Sequence, residues 1–234
     1  MPDWTGAYLN LAPTQFAPGY HYSGRTIAPL RPQFAEIYEK KMVQADQGKE
    51  WDPLSACFPA GFPRMMAEGR IFEFITTPHN VWILQEVANE THRIYTDGRG
   101  FPPDDEAYPK WEGDAVGVWD DDTLLVYTRH LMGTNDGYQR NGPAQTDDIE
   151  VIEQYRMISP DTIVLQTTVY DPKVLTKPWR ITPRQYKRAF QDGKEVRPDY
   201  YGCATSPVTL NADGTTQIIL PNERANAGAP TAPR

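Results

Sequence analysis

The chain has little cysteine, no basic block, no long apolar run and no compact metal-ligand spacing, and each lack removes a class of function. Cys57 and Cys203 are the two cysteines in 234 residues. They are too few for a disulfide scaffold and too far apart for a compact zinc motif; one bridge and two reduced thiols both stay open. Lys and Arg total 23 against 31 Asp and Glu, a formal net charge of -8, and without a basic stripe the footprint of a nucleic-acid surface is missing. His21, His79, His92 and His130 fall in no HxH or HExxH pattern, so no metal is expected. There is neither a G-x-S-x-G elbow nor a nucleotide-binding glycine motif, and no cofactor is expected. No stretch approaches the ~18 apolar residues of a spanning helix. With no basic leader ahead of an apolar run, the expectation is a soluble chain, cytoplasmic as written or periplasmic if a leader was removed.

What the chain does have is aromatic bulk, with Trp 6, Tyr 13 and Phe 8 to bury in a substantial core. Pro32 to Gln47 (PQFAEIYEKKMVQADQ) places Phe34, Ile37, Tyr38 and Met42 near one face behind a leading proline, which predicts a helix over about 32–47. Trp51 to Met66 is broken by prolines and a glycine, yet Cys57, Phe58, Phe62, Met65 and Met66 would be wasteful if exposed. It reads as a packed loop crossing the mouth of a core or pocket, with Arg64 its least explained polar residue.

From Arg70 onward β-type runs dominate: 70–76, 81–87, 92–96, 115–119, 123–130, 149–158 and 162–170, then 179–190 with Pro183 inside it, and a short run at 6–9 before them. Pro183 makes the last run an edge strand, a bulge or a break. The short connections predict a mainly β fold, an antiparallel meander of about eight strands forming a closed or nearly closed barrel with an N-terminal helix. A curved open sheet or a sandwich is the alternative. The expected organisation is a single domain over 1–220 with a flexible tail over 221–234.

Alternation sorts side chains into two faces without saying which is inside. Glu73 lies between Ile71 and Ile75; Trp82, Leu84 and Glu86 share a face, as do Arg93, Tyr95 and Asp97. If these faces line one cavity, Glu73, Glu86, Arg93 and Tyr95 form a polar group in an apolar wall. Such a group is either a strand-fixing network or an acid/base site. His130 follows Leu124, Val126 and Thr128 on one face, Tyr155 and Glu153 share another, and Trp119 borders the hairpin turn at Asp120 to Asp122.

Several motifs occur together: Asp3-Trp4-Thr5-Gly6, the Cys57 to Met66 loop, Phe72-Glu73-Phe74, Ile94-Tyr95-Thr96-Asp97-Gly98-Arg99, and Trp119-Asp120-Asp121-Asp122-Thr123-Leu124-Leu125-Val126. In this set the chain resembles a large family of bacterial, often exported proteins of uncertain function, with IYTDGR-HP and W-E-G-D-T-L-V-V motifs. The resemblance spans about residues 3 to 180 and implies a lipocalin-like barrel. Phe101 stands where a histidine usually follows the DGR motif, and Asp114 lies in the segment where the family carries G-H-S-I-G. The departures imply altered ligand chemistry on a retained scaffold.

These readings predict a cofactor-independent acid/base enzyme, an isomerase, cyclase, hydratase or lyase, acting on a small, mainly apolar or aromatic molecule in a barrel pocket. Glu73, Glu86, Asp114 and His130 are the acid/base candidates. Arg64, Trp82, Arg93, Tyr95, Phe101, Trp119 and Tyr155 are the substrate contacts. A noncatalytic carrier or sensor of a small hydrophobic ligand would use the same wall, and a structural or protein-interaction domain is the third reading. The expected partner is a small molecule, with no nucleic acid and no membrane span; a homodimer stays open.

Overall fold

The computed structural model describes residues 2–11, 27–49, 52, 54, 57–135, 137–138, 140–199, 208–210 and 216–218. The tail expected at 221–234 and Cys203 lie outside the described residues. Cys57 is disulfide-bonded, so the reduced alternative does not hold for it.

The predicted helix is present as α1 (Pro32–Asp46), with the proline in its first turn. Tyr38 and Met42 are buried and Phe34 packs on the core, but Ile37 is 57% exposed. The apolar stripe is therefore narrower than its spacing suggests. Lys41 donates from Nζ to the carbonyls of Asn135 and Gly142, both at 2.7 Å, and Arg31 N–H bonds Val174 O at 2.8 Å. These bonds hold the helix against two connecting segments.

The strands are β1 (Gly6–Asn10), β2 (Ile71–Thr76), β3 (Asn80–Gln85), β4 (Glu90–Tyr95), β5 (Asp114–Asp120), β6 (Thr123–Arg129), β7 (Glu150–Ser159), β8 (Thr162–Tyr170), β9 (Trp179–Arg180) and β10 (Arg184–Arg188). They pair in chain order from β1 to β8, and β10 pairs with both β8 and β1. Nine strands thus close a barrel of lipocalin-like shape, with β9 as an extra pairing on β8. The expectation of about eight strands is corrected to nine, because the short run at the N-terminus is a full member that closes the gap between β10 and β2. Closure leaves these strands without an open edge. Pro183 breaks the last run: β9 pairs with Thr168 and Val169, whereas β10 pairs with Thr162 to Leu165 on the same strand.

The meander is not wholly antiparallel. β4 and β5 run parallel, with Ile94 opposite Ala115 and Tyr95 opposite Val116. The segment 96–113 is long enough to carry the chain back along the barrel before β5 begins, which a hairpin cannot do. Its end is pinned beside the residues after β6: Lys110 N–H bonds His130 O, and Met132 N–H bonds Lys110 O, both at 2.8 Å.

Alternation now has a direction. Phe72 and Phe74, Val81 and Ile83, Leu124 and Val126, and Ile163 and Leu165 are buried inside, together with Tyr8, Tyr155 and Tyr186. The loop through 60–66 packs into one end as expected of it, but Phe58, expected to be buried with it, is 49% exposed. Ala60, Phe62, Met65 and Met66 are buried, and Met66 O accepts Tyr186 Oη–H at 2.7 Å and Asn10 Nδ2–H at 3.4 Å. Among the described residues no helix is long and apolar enough to cross a membrane.

Gly113, just before β5, has φ +65 and no room for a side chain, since a Cβ would meet Arg129 O and the Leu131 side chain. Gly98 has φ +83 with nothing within 4 Å. Gly98→Ala should cost about 1 kcal/mol, the backbone cost alone, and Gly113→Ala clearly more, because backbone must move. Urea unfolding of the two variants checks the difference.

Candidate functional site

The inward faces of β4 and β7 bring three polar side chains together in the interior. His92 comes from β4, and Glu153 and Tyr155 from β7; all are buried. Tyr155 Oη–H donates to Glu153 Oε1 at 2.5 Å, and Glu153 Oε2 lies 3.5 Å from His92 Nε2. The second distance suits charge attraction but is not a formed hydrogen bond, and both atoms lack a protein hydrogen-bond partner. Phe62 lies flat on the His92 ring, with centroids 4.2 Å apart and planes at 9°. Burial and the neighbouring Glu153 push the Tyr155 phenol well above its ordinary range, so it stays a donor.

Other inward polar atoms are also buried without a protein partner: His92 Nδ1, both side-chain heteroatoms of Gln85, Thr128 Oγ1, Trp119 Nε1 and Trp4 Nε1. Trp4 and Trp119 meet edge to face at the other end of the barrel, with centroids 4.6 Å apart, and Trp4 lies 6.3 Å from Tyr155. Indole nitrogens only donate, so these two cannot satisfy one another. Buried polar groups are ordinarily hydrogen-bonded, and this interior holds a set of them that the protein leaves unbonded.

The loop over the His92 end is clamped. Phe62 N–H bonds Trp111 O at 2.8 Å, Gln145 Nε2–H donates to Phe62 O at 3.2 Å, and Glu90 Oε1 accepts Gly61 N–H at 2.6 Å. Gly61 has φ +70 and sits against Trp111. Burial pushes the Glu90 carboxyl up to about 8, opposed by the Gly61 N–H and reinforced by the charge of Glu112.

The residues expected to form one polar pocket wall lie elsewhere. Glu73, Trp82, Arg93 and Tyr95 alternate with the buried Phe72, Phe74, Val81, Ile83, His92 and Ile94, so they face outward. They still interact: the Arg93 guanidinium lies 3.9 Å over the Trp82 ring and donates to Tyr95 Oη at 3.3 Å. Glu86 falls just past the end of β3 and accepts Ile71 N–H at 3.1 Å. Arg64 is 1% exposed and bonds both Asp52 oxygens, at 2.8 and 2.9 Å, and Glu68 at 3.3 Å, as a buried guanidinium requires. Trp119 and Tyr155 do project inward.

Asp114, His130 and Phe101 form a separate group. His130 Nδ1 is 2.8 Å from Asp114 Oδ2, Lys110 Nζ donates to both Asp114 oxygens at 2.6 and 2.7 Å, and the Phe101 ring stands edge-on to His130 at 6.0 Å. His130 has φ +56, an uncommon backbone for a residue with a side chain. Arg129 and Tyr127 flank Phe101.

His92, Gln85, Glu90, Glu112 and Thr128 were absent from the expected site. Their one signal is phase, Gln85 with Val81 and Ile83, Glu90 and His92 with Ile94, and it becomes readable only once the apolar face is known to be inside. Among the described residues no group of three or more His, Cys, Asp or Glu could hold a metal ion. No family model matches the sequence, and no curated protein matches it.

In the interior an imidazole faces a carboxyl group that a phenol holds from the other side. Tyr155→Phe removes the donor to a buried carboxyl and should cost about 1–3 kcal/mol, whereas Arg93→Ala on the outer face should cost under about 1 kcal/mol; chemical denaturation compares them. The Glu90 carboxyl has its folded pKa raised from 4.5 to about 8. Its contribution is therefore fully present below pH 4.5 and is lost as pH rises toward 8, since the folded state binds the extra proton. Stability measured across that window should fall in the wild type and flatten in Glu90→Gln.

Proposed function

We propose that this chain is a cofactor-independent acid/base enzyme that holds a small, mainly apolar or aromatic molecule inside the barrel and moves a proton on it. The observation that carries the reading is the set of buried, unbonded polar atoms on the inward face around His92 and Glu153. A ligand with an oxygen acceptor would take a hydrogen bond from an indole nitrogen at the Trp4 and Trp119 end, and the aromatic lining would supply apolar contact. His92 removes a proton, Glu153 stabilises the imidazolium that forms, and Tyr155 fixes the carboxyl group. Returning the proton to another atom of the same molecule gives isomerisation; losing a leaving group instead gives elimination. The acid/base roles expected at Glu73 and Glu86 pass in this reading to residues of the opposite face.

A carrier or sensor would use the same lining, and the number of buried aromatic rings supports it; proton transfer separates the two. The disulfide at Cys57 supports an oxidising compartment, in keeping with the resemblance to often exported proteins.

The test uses aryl ketones and cyclic enones in D2O, with proton NMR following protein-dependent deuteration next to the carbonyl and tryptophan fluorescence following binding. Deuteration should fall by roughly 100-fold or more in His92→Asn and in Glu153→Gln, with binding retained. Binding without deuteration would favour the carrier, and neither response would overturn both readings.

A further inference from the structure

The inward face of β3 ends on a glutamine that the chemistry just described leaves idle. Gln85 shares that face with Val81 and Ile83 and is 2% exposed, yet neither its Nε2 nor its Oε1 meets a hydrogen-bond partner in the protein. Buried amides are ordinarily bonded, because an unmade bond forfeits hydration and regains nothing. The register fixes what stands beside it. Phe72 lies opposite on β2 and Glu90 opposite on β4, and both are buried on the same inward face. Directly opposed side chains on one face lie ~5 Å apart at Cβ, so the amide sits between an aromatic ring and an acid.

Neither neighbour satisfies the amide. Phe72 has no polar side-chain atom, and its ring meets Tyr186 edge to face with centroids 5.1 Å apart. Glu90 turns Oε1 to the clamped loop, where it accepts Gly61 N–H at 2.6 Å, and its Oε2 is also buried without a partner. Burial pushes this carboxyl up to about 8, so near neutral pH it keeps its proton and brings no negative charge to the recess. A primary amide offers donor and acceptor side by side in one plane, and its full complement carries an acceptor and a donor on neighbouring atoms. A lactam or imide ring has that edge. A ketone has half of it, and a carboxylic acid has it only in the protonated form that neutral water disfavours. The position also suits a substrate of the interior pair: His92 is opposite Ile83 and Glu90 opposite Gln85, which sets the amide two residues along the sheet from the imidazole, ~7 Å at the strand rise. The indole end lies the other way, since Trp4 N–H reaches Thr76 Oγ1 at 3.3 Å and Thr76 is opposite Val81.

We propose that Gln85 anchors the polar edge of the ligand, and that the ligand is a neutral aromatic lactam or imide, paired with the Gln85 amide and lying against Phe72. This rests on the barrel interior being the ligand site, and not on proton transfer there. Gln85 Nε2–H donates to the ring carbonyl, and Gln85 Oε1 accepts the ring N–H. The rest of the ring system extends from the clamped loop toward His92, which brings the carbons beyond the carbonyl within reach of the imidazole. Gln85 binds and orients; it moves no proton. A single amide thus selects for a donor and an acceptor together, because either one left unmatched stays buried and unbonded.

The test uses the full chain and two probes of matched size, 2-quinolone and coumarin, which carry a ring N–H and a ring oxygen respectively beside the same carbonyl. Calorimetry gives each Kd, and the side-chain amide signals of 15N-glutamine-labelled protein report contact with Gln85. The wild type should bind 2-quinolone tighter by roughly tenfold or more, with the Gln85 signal moving. In Gln85→Met the preference should shrink to within about twofold, while the urea midpoint stays level or rises, because a buried unbonded amide has been replaced by an apolar chain of similar volume. Gln85→Leu serves as the second variant if Gln85→Met does not fold. Equal affinities in the wild type, no binding of either probe, a Gln85 signal unmoved by 2-quinolone, or a preference that persists in the folded variant would overturn the anchor. Ketone deuteration in the wild type without a 2-quinolone preference would mean that the anchor fails and the enzyme reading stands. A 2-quinolone preference lost in Gln85→Met, without ketone deuteration, would leave the anchor in place on a carrier.

Discussion

An acidic side chain with no exposed surface, Glu153, sits inside a closed barrel, and much of the surrounding structure answers to it. Water cannot solvate the carboxyl group there, so its polar neighbours must. Tyr155 supplies a hydrogen bond to one oxygen and His92 faces the other. His92 in turn is held flat under Phe62, and Phe62 is fixed by Trp111, Gln145 and the Glu90 bond to the preceding residue. The dependence therefore runs from a buried acid to a loop with almost no regular structure. That loop is broken by Pro59, Gly61 and Pro63, yet it buries Ala60, Phe62, Met65 and Met66.

Topology explains why so many polar groups meet at this end of the barrel. The crossing segment 96–113 returns along the outside and makes β4 and β5 parallel. In returning, it delivers Trp111 to the clamped loop, and Lys110 and Asp114 to His130. The irregular connection is thus what brings Lys110 and Asp114 to His130, on a sheet whose other consecutive connections are antiparallel.

Much of the barrel was legible because its strands are short, apolar and separated by turn residues. The helix began at its proline, the hairpin at Asp120 to Asp122 formed, and Pro183 interrupted the last run. The inward face was not legible in β2, because Ile71 and Ile75 make the Glu73 face nearly as apolar as the face carrying Phe72 and Phe74. In β3, Trp82 and Leu84 compete in the same way with Val81 and Ile83. An aromatic residue flanked by arginine, as Trp82 is by Arg93 across the strands, is stable on an outer surface through cation–π contact. That contact resembles a pocket wall when only the residue types are known. Of the interior polar group, Glu153 and Tyr155 were legible as one face, but Gln85, Glu90 and His92 were not, for the matching reason: a one-residue choice of face moves them from solvent to core.

The sequence by itself determined the class of fold, the position of the helix and most of the strands, since hydrophobic alternation and turn chemistry act over a few residues. Tertiary structure decided the closure by β1, the parallel pair and, above all, which side of each strand faces inward. Those outcomes depend on the register between residues far apart in the chain, such as Tyr8 with Phe72 and with Arg188. Only that register brings Glu153 to His92.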